Sequence, residues 1–185
     1  MFAQAPQIAS RRTNPFNNQI STTDTIQQMN RIVKQSLESP VVITATMNAC
    51  DGLALEDERQ IAEAIWYWIK RHVKFATDET LMAQMGIPIE NPTKELLISP
   101  ATILTMPEPM GDCDCFSMLA KTMLMQAGLR VSFVTVKAER EDPRIWSHIY
   151  CKVYFSNGTS MPFDASHGEW PGWETKNYWE KREWA

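Results

Sequence analysis

The residue types with the clearest chemical potential form the run Gly111-Asp112-Cys113-Asp114-Cys115. Asp112 is a residue type that caps helices and Gly111 lets the chain turn, so this run predicts Cys113 in the first turn of a helix. There the helix dipole and the backbone N–H groups favour a thiolate over a thiol, and the same N–H groups can hold an oxyanion. The carboxylates of Asp112 and Asp114 act in the opposite direction, because nearby negative charge raises the pKa of a thiol. A nucleophilic Cys113 therefore needs a histidine partner.

Two downstream residues are the candidates to complete such a site. His148, one of three histidines, lies 35 residues after Cys113 near the start of a strand predicted for 147–155, and it faces away from the apolar side of that strand. Asp164 lies 16 residues further on, beyond a hairpin turn predicted at 156–159. A carboxylate on the neighbouring strand would orient the imidazole and stabilise its charged form. The order and placement predict a Cys-His-Asp triad that acts through a thioester.

Each of these residues also has a simpler interpretation. A buried cysteine is usually a small apolar residue, and an aspartate after a hairpin is often a turn residue. A metal site made by Cys113, Cys115 and His148 is disfavoured, because Cys-x-Cys is a poor zinc knuckle and no second ligand pair follows. The sequence contains neither a phosphate-binding loop nor a dinucleotide motif. We therefore expect no metal and no cofactor.

The predicted elements place the nucleophile on a helix and its partners on strands. Apolar residues recur at helical spacing in three segments, at about 23–38, 55–73 and 112–127, and Gly128 ends the last of them. Three strands follow, at 130–138, 147–155 and 160–164. Helices followed by antiparallel strands predict an α+β fold, with N-terminal helices and a nucleophile helix packed on a small antiparallel sheet.

The chain divides into three predicted regions. Residues 1–20 form a polar flexible arm, 21–168 form the folded domain, and 169–185 form a tryptophan-rich C-terminal tail. The arm and the tail are both candidates for contacts with partner proteins, although the tail could instead pack on the domain. Residues 76–110 contain five prolines and are predicted to be irregular, as in a wall or cover of a site.

Composition excludes several classes of function. A formal net charge of −4 and a pI of about 5.4 argue against a general nucleic-acid binder. No apolar run approaches a membrane span, and the N-terminus has no apolar signal-peptide core. Four cysteines in 185 residues are too few for a disulfide scaffold and suggest reduced thiols in a cytoplasmic setting. We expect a protein or peptide substrate, with no nucleic acid and no membrane.

These motifs also resemble a known family. The segments at 111–115, 126–129, 131–136, 146–150 and 161–165 are similar to the transglutaminase-like cysteine hydrolase superfamily, part of the wider papain-like class. The resemblance covers roughly residues 55–175 and is clearest at 111–165. It implies a papain/transglutaminase-like core, with Cys113 as nucleophile, His148 as general base and acid, and Asp164 as the orienting carboxylate.

One position departs from the family pattern, and two further segments extend the resemblance. An acidic residue is common where this chain has Cys115, which leaves two candidate nucleophiles. Cys113 is preferred because it directly follows Gly-Asp at the helix start. The segments at 95–100 and 167–173 resemble small transglutaminase-like proteins encoded by bacteriophages and prophages.

Two hypotheses follow from different classes of protein. The first is a cysteine peptidase or hydrolase, or an acyltransferase, that acts on amide or isopeptide bonds in the host cytoplasm or on the virion. The alternative is a virion structural or assembly protein on the same scaffold, with little or no activity. Family members differ in reaction and substrate, so the resemblance selects neither.

Overall fold

The computed structural model of the 185-residue chain describes residues 18–87 and 96–185, with side chains from residue 22 onward. Most of the arm predicted at 1–20 lies outside the described residues, as does the 88–95 part of the proline-rich segment. Within the described ranges the helices come first and a four-stranded antiparallel sheet comes last. The α+β fold class predicted from the sequence is confirmed.

The described residues contain six helices and six strands. In chain order these are α1 (Asn18–Ser36), α2 (Pro40–Ala49), α3 (Glu58–His72), β1 (Lys74–Phe75), α4 (Asp78–Gln84), α5 (Pro100–Thr105), β2 (Met110–Gly111), α6 (Cys113–Gln126), β3 (Arg130–Val136), β4 (His148–Tyr154), β5 (Ser160–Phe163) and β6 (Lys181–Trp184).

The first three helices pack against α6. α1 begins five residues before its predicted start at 23, and α3 lies within the predicted helix. The helix at 40–49 is not among the predicted ones, and the β-branched run there has low helix propensity. Pro40 at the first turn suits a helix start, and burial of Val42, Ala45 and Thr46 supplies the tertiary stabilisation.

α6 forms the centre of the fold and agrees with the predicted nucleophile helix. The Asp112 side chain caps it by accepting the backbone N–H of Cys115, and Gly128 follows its end with a φ of +85°. The helix is buried on almost every side, including Lys121. The Lys121 ammonium donates to Asn30 of α1 at 3.0 Å and lies 4.2 Å from the centre of the Phe133 ring on β3. This contact ties the C-terminal half of α1 to α6 and the sheet.

The main sheet has the strand order β5-β4-β3-β6, and every neighbouring pair is antiparallel. The first three of these strands lie within the predicted strand segments. β6 lies in the tryptophan-rich segment and was not predicted, because three of its four residues are charged. Its pairing with β3 is supported by the Trp184 indole, which donates to Thr135 Oγ1 at 2.9 Å.

A short parallel pair positions the start of α6. β1 and β2 pair Lys74 with Met110 and Phe75 with Gly111. The backbone N–H of Ala76 also donates to the carbonyl oxygen of Gly111 at 2.9 Å. The end of α3 is therefore joined to the residue that precedes the cap of α6.

Candidate active site

Cys113 is the first residue of α6, and its side chain is half-buried. The chain reaches it through Gly111, where a Cβ would lie 2.5 Å from the Cβ of Cys115, so the approach has no room for a side chain. The first N–H groups of an α-helix have no acceptor within the helix. A carbonyl group attacked by the Cys113 thiolate would therefore develop its negative charge beside the positive end of the α6 dipole.

His148 and Asp164 lie in direct contact. His148 Nε2 and Asp164 Oδ2 are 2.7 Å apart, and their side chains are only 10% and 1% exposed. The Tyr150 ring stacks with the His148 ring on the same face of β4, at 5.9 Å between centres, whereas Ile149 and Cys151 belong to the core beside α6. Because Nε2 is engaged with Asp164, Nδ1 is the nitrogen left to act on a second group.

The segment after β5 holds Asp164 rigidly. Its Oδ1 accepts the backbone N–H groups of Ser166 and His167 at 3.0 and 2.9 Å, and the Ser166 hydroxyl at 2.8 Å. Its carbonyl oxygen accepts the buried indole N–H of Trp66, on α3, at 2.8 Å. A Cβ at Gly168 would overlap that same carbonyl oxygen, so only glycine fits there. The carboxylate is thus aimed at His148 by the chain around it.

These contacts determine the charge on Asp164. Burial by itself would raise the pKa of this carboxyl. Hydrogen bonding and charge from His148, with the hydrogen bonds of His167 and Ser166, instead lower the pKa of Asp164 to about 2. Asp164 is therefore ionised at neutral pH and can stabilise an imidazolium at His148.

Cys113 and His148 line the same small cavity, whose volume of about 60 Å³ has room for a few water molecules but not for a peptide. The strand side of the cavity includes Thr135 and Trp146. Its other side is formed by four residues of α1: Thr22, Thr25, Ile26 and Met29. The described residues of 76–110 are not among those that line this cavity, whereas α1 forms one of its sides.

The other three cysteines are poor nucleophiles. Burial raises the pKa of Cys115 well above its ordinary value, and the thiol donates to the carbonyl oxygen of Leu96 at 3.7 Å. Burial also raises the pKa of Cys151, to about 12, and the pKa of Cys50. All three remain neutral thiols at physiological pH. Cys113 is therefore a better candidate nucleophile than Cys115.

His167 is a neighbour of His148 that the sequence reasoning did not single out. The two imidazole rings meet edge to face at 4.6 Å between centres, and Phe75 contacts the His167 ring at 4.9 Å. His167 Nδ1 lies 3.0 Å from the Ser166 hydroxyl oxygen. Partial burial and the nearby positive charge of His148 lower the pKa of His167. The sequence feature that could have identified His167 is its position three residues after Asp164.

The third histidine lies elsewhere. His72, at the end of α3, is exposed, stacks on Trp68 at 4.2 Å between ring centres, and has Nδ1 2.7 Å from the Trp68 carbonyl oxygen. Trp66, two residues before Trp68, is fully buried, whereas Trp68 is partly buried against the core.

No protein-family model matches the chain, and no curated protein sequence matches it. A solved structure described as a crystal structure of a TGase superposes with a TM-score of 0.44 and 13% sequence identity. The match covers 89% of this chain and 37% of that one. Among the described residues, none of the helices is long and apolar enough to cross a membrane.

Proposed function

We propose that the protein is a cysteine-dependent amide or isopeptide hydrolase, or acyltransferase, of the transglutaminase-like type. Cys113 is the nucleophile, His148 the general base and acid, and Asp164 the carboxylate that orients His148. The observation that carries the proposal is the buried 2.7 Å contact between His148 and Asp164, with His148 sharing a cavity with the half-buried Cys113 at a helix start.

The chemistry follows from these positions. His148 takes the Cys113 thiol proton, and the thiolate forms a bond to the carbonyl carbon of the substrate. The carbon–nitrogen bond then breaks, and the amine leaves with the proton from His148, so that a thioester remains on Cys113. Water or a second amine attacks the thioester and regenerates the thiolate. Asp164 holds the imidazole in one tautomer and stabilises its charged form throughout.

We propose that a movement of the first turns of α1 widens this site for a substrate. The cavity is too small for a peptide, and the first turns of α1 form one of its sides. Asn30 and Lys121 hold the C-terminal half of the same helix on α6. A substrate therefore reaches Cys113 when the N-terminal turns of α1, around Thr22 and Ile26, separate from the site.

The proposal is tested by limiting alkylation with iodoacetamide at about pH 6, where only an activated thiol reacts quickly. All four cysteines are mapped by mass spectrometry in the wild-type protein, in His148→Ala and in the matched control His72→Ala. We expect labelling confined to Cys113, lost in His148→Ala and retained in His72→Ala. Labelling of Cys113 at the same rate in all three proteins would contradict an activated pair.

A second assay separates hydrolysis from transfer. A glutamine-containing peptide is incubated with the protein and a fluorescent primary amine. Ammonia release without incorporation of the amine indicates hydrolysis, and incorporation indicates acyl transfer. Cys113→Ala should abolish both, whereas Cys50→Ala, which removes a thiol far from His148 in the fold, should leave both unchanged.

A virion structural or assembly role is the second candidate, and two observations favour it. α1 forms one side of the small cavity beside Cys113, and the C-terminal segment exposes Trp170 and Trp179 by 55% and 66%. The resemblance of 95–100 and 167–173 to phage-encoded proteins supplies the viral context for both candidates. Stable incorporation of Cys113→Ala protein into infectious particles would favour the structural role, whereas loss of infectivity with normal assembly would favour the enzyme.

A further inference from the structure

Three side chains of metal-ligating type meet beside the strand ends. His148, Asp164 and His167 each place one ligand atom so that all three atoms lie within 4.8 Å of one another. Two imidazole nitrogens with one carboxylate oxygen are a donor set suited to Zn²⁺ and similar transition metals. This group differs from the set Cys113, Cys115 and His148, which the sequence pattern disfavours as a metal site.

The surroundings of Asp164 suit a ligand carboxylate. Its Oδ1 is occupied by the N–H groups of Ser166 and His167 and by the Ser166 hydroxyl, whereas Oδ2 contacts His148. A carboxylate oxygen has two lone pairs, so Oδ2 can bind an ion while Oδ1 keeps the group oriented. Asp164 is only 1% exposed in its side chain, which limits competition from water.

The two imidazoles are also held in position. Phe75 packs against the His167 ring, and Tyr150 packs against the His148 ring. In a tetrahedral zinc site the ligand atoms are about 3.4 Å apart, given Zn–N bonds of about 2.1 Å. The three atoms therefore need only small side-chain rotations to close around an ion, and His148 and Asp164 need to separate slightly.

We propose that His148, Asp164 and His167 bind a divalent transition-metal ion, of which Zn²⁺ is the best match, and that the bound ion switches off the thiol site. An imidazole that binds metal through Nε2 carries its proton on Nδ1, so it has no lone pair left to take the Cys113 proton. The inhibitory part of this inference rests on the proposed function. The metal site itself does not.

Binding is tested on the full-length protein with Zn²⁺ by calorimetry and with Co²⁺ by its visible absorption. The wild-type protein and His72→Gln should bind one ion per chain with equal affinity. His167→Gln should bind at least about tenfold more weakly, since it loses a direct ligand. A double variant, Cys50→Ser with Cys113→Ser, lacks the more accessible thiols. The difference between its metal affinity and that of the wild-type protein measures how much these thiols contribute to binding. Full affinity in His167→Gln overturns the proposal, as does the absence of binding in the wild-type protein.

A measurement on the wild-type protein keeps the test valid if His167→Gln fails to fold. Paramagnetic Co²⁺ should broaden the imidazole NMR signals of His148 and His167 and spare those of His72. Equal broadening of all three histidines overturns the proposal.

The inhibitory step has a separate readout. Zn²⁺ should slow the alkylation of Cys113 in the wild-type protein, a chelator should restore it, and His167→Gln should be insensitive. If Zn²⁺ binds to the three residues but alkylation of Cys113 never depends on His148, the proposed function fails and the metal site stands. If alkylation depends on His148 but Zn²⁺ does not bind, the metal site fails alone.

Discussion

The indole N–H of Trp66 donates a 2.8 Å hydrogen bond to the carbonyl oxygen of Asp164, which lies 98 residues away in the chain. Both residues are buried, with exposures of 3% and 2%. The bond joins α3 to the turn that carries the orienting carboxylate of the candidate site. The position of Asp164 therefore depends on a helix that contributes no side chain to the cavity beside Cys113.

Replacing this indole should weaken both the fold and the site. Trp66→Phe keeps an aromatic ring but removes the N–H, and an unsatisfied buried carbonyl costs about 1–3 kcal/mol. We expect a loss of that size in denaturant unfolding, together with slower alkylation of Cys113. Trp68→Phe is the matched control, because Trp68 stacks on His72 and should leave the thiol reactivity unchanged. Equal alkylation rates in both variants would show that the Trp66 bond does not position Asp164.

Gly168→Ala should distort the Asp164 turn. A Cβ at this position overlaps the Asp164 carbonyl oxygen, so the backbone must shift and move the carboxylate from His148. We expect the alkylation of Cys113 to slow at least tenfold. A tenfold change in rate corresponds to about 1.4 kcal/mol, which is within the range that the loss of one hydrogen bond costs. Gly158→Ala is the control: its φ of +83° makes alanine cost about 1–2 kcal/mol, but nothing lies within 4 Å of the added Cβ. Thiol reactivity should survive in that control.

Enlarging the cavity from the α1 side should expose Cys113. Ile26→Ala removes a side chain that lines the cavity, whereas Ile32→Ala removes a buried side chain of the same helix that does not. Both should destabilise the fold by about 2–5 kcal/mol. Only Ile26→Ala should speed the alkylation of Cys113, measured well below the unfolding transition. A slow rate in both variants would indicate an inactive thiol and not a covered one.

Stability should fall in acid because of Asp164. Its pKa is about 2 in the folded protein, below the ordinary value of an aspartate, so its stabilising effect is complete above about pH 4 and disappears as the pH falls toward 2. A depression of this size corresponds to about 2 kcal/mol. The free energy of unfolding should therefore drop by about that amount more in the wild-type protein than in Asp164→Asn over this range.

Asp142→Asn is the control for this acid effect. Asp142 also has a pKa of about 2, from its contacts with Arg144, but its side chain is 26% exposed, against 1% for Asp164. Ion pairs at the surface contribute little to stability. An equal loss of acid sensitivity in Asp142→Asn and Asp164→Asn would contradict a special role for the buried pair.

Local sequence signals predicted the parts of the site that depend on neighbouring residues. The capping potential of Asp112 and the stop at Gly128 predicted α6, because both act through hydrogen bonds and φ angles within one turn. Alternation along β4 predicted that His148 and Cys151 lie on opposite faces, because side chains in a strand have a period of two. These properties depend only on neighbouring residues, so they could be predicted without the tertiary structure.

Contacts between distant segments decided the rest. α2 is helical although its β-branched residues favour strands, because burial against α6 outweighs propensity. β6 joins the sheet although its residues are mostly charged, because β3 offers unpaired backbone groups and Thr135 accepts the Trp184 indole. Neither the helix α2 nor the strand β6 is marked by a hydrophobic period within its own residues.

The sequence by itself determined the α+β class, the helix that begins at Cys113 and the strands that carry His148 and Asp164. Only the tertiary structure decided that Trp66 holds the Asp164 turn, that His167 lies against His148, and that α1 lines the cavity. The physical reason is the range of the interactions: capping and alternation act over a few residues, whereas these three contacts join segments whose meeting depends on how the whole core packs.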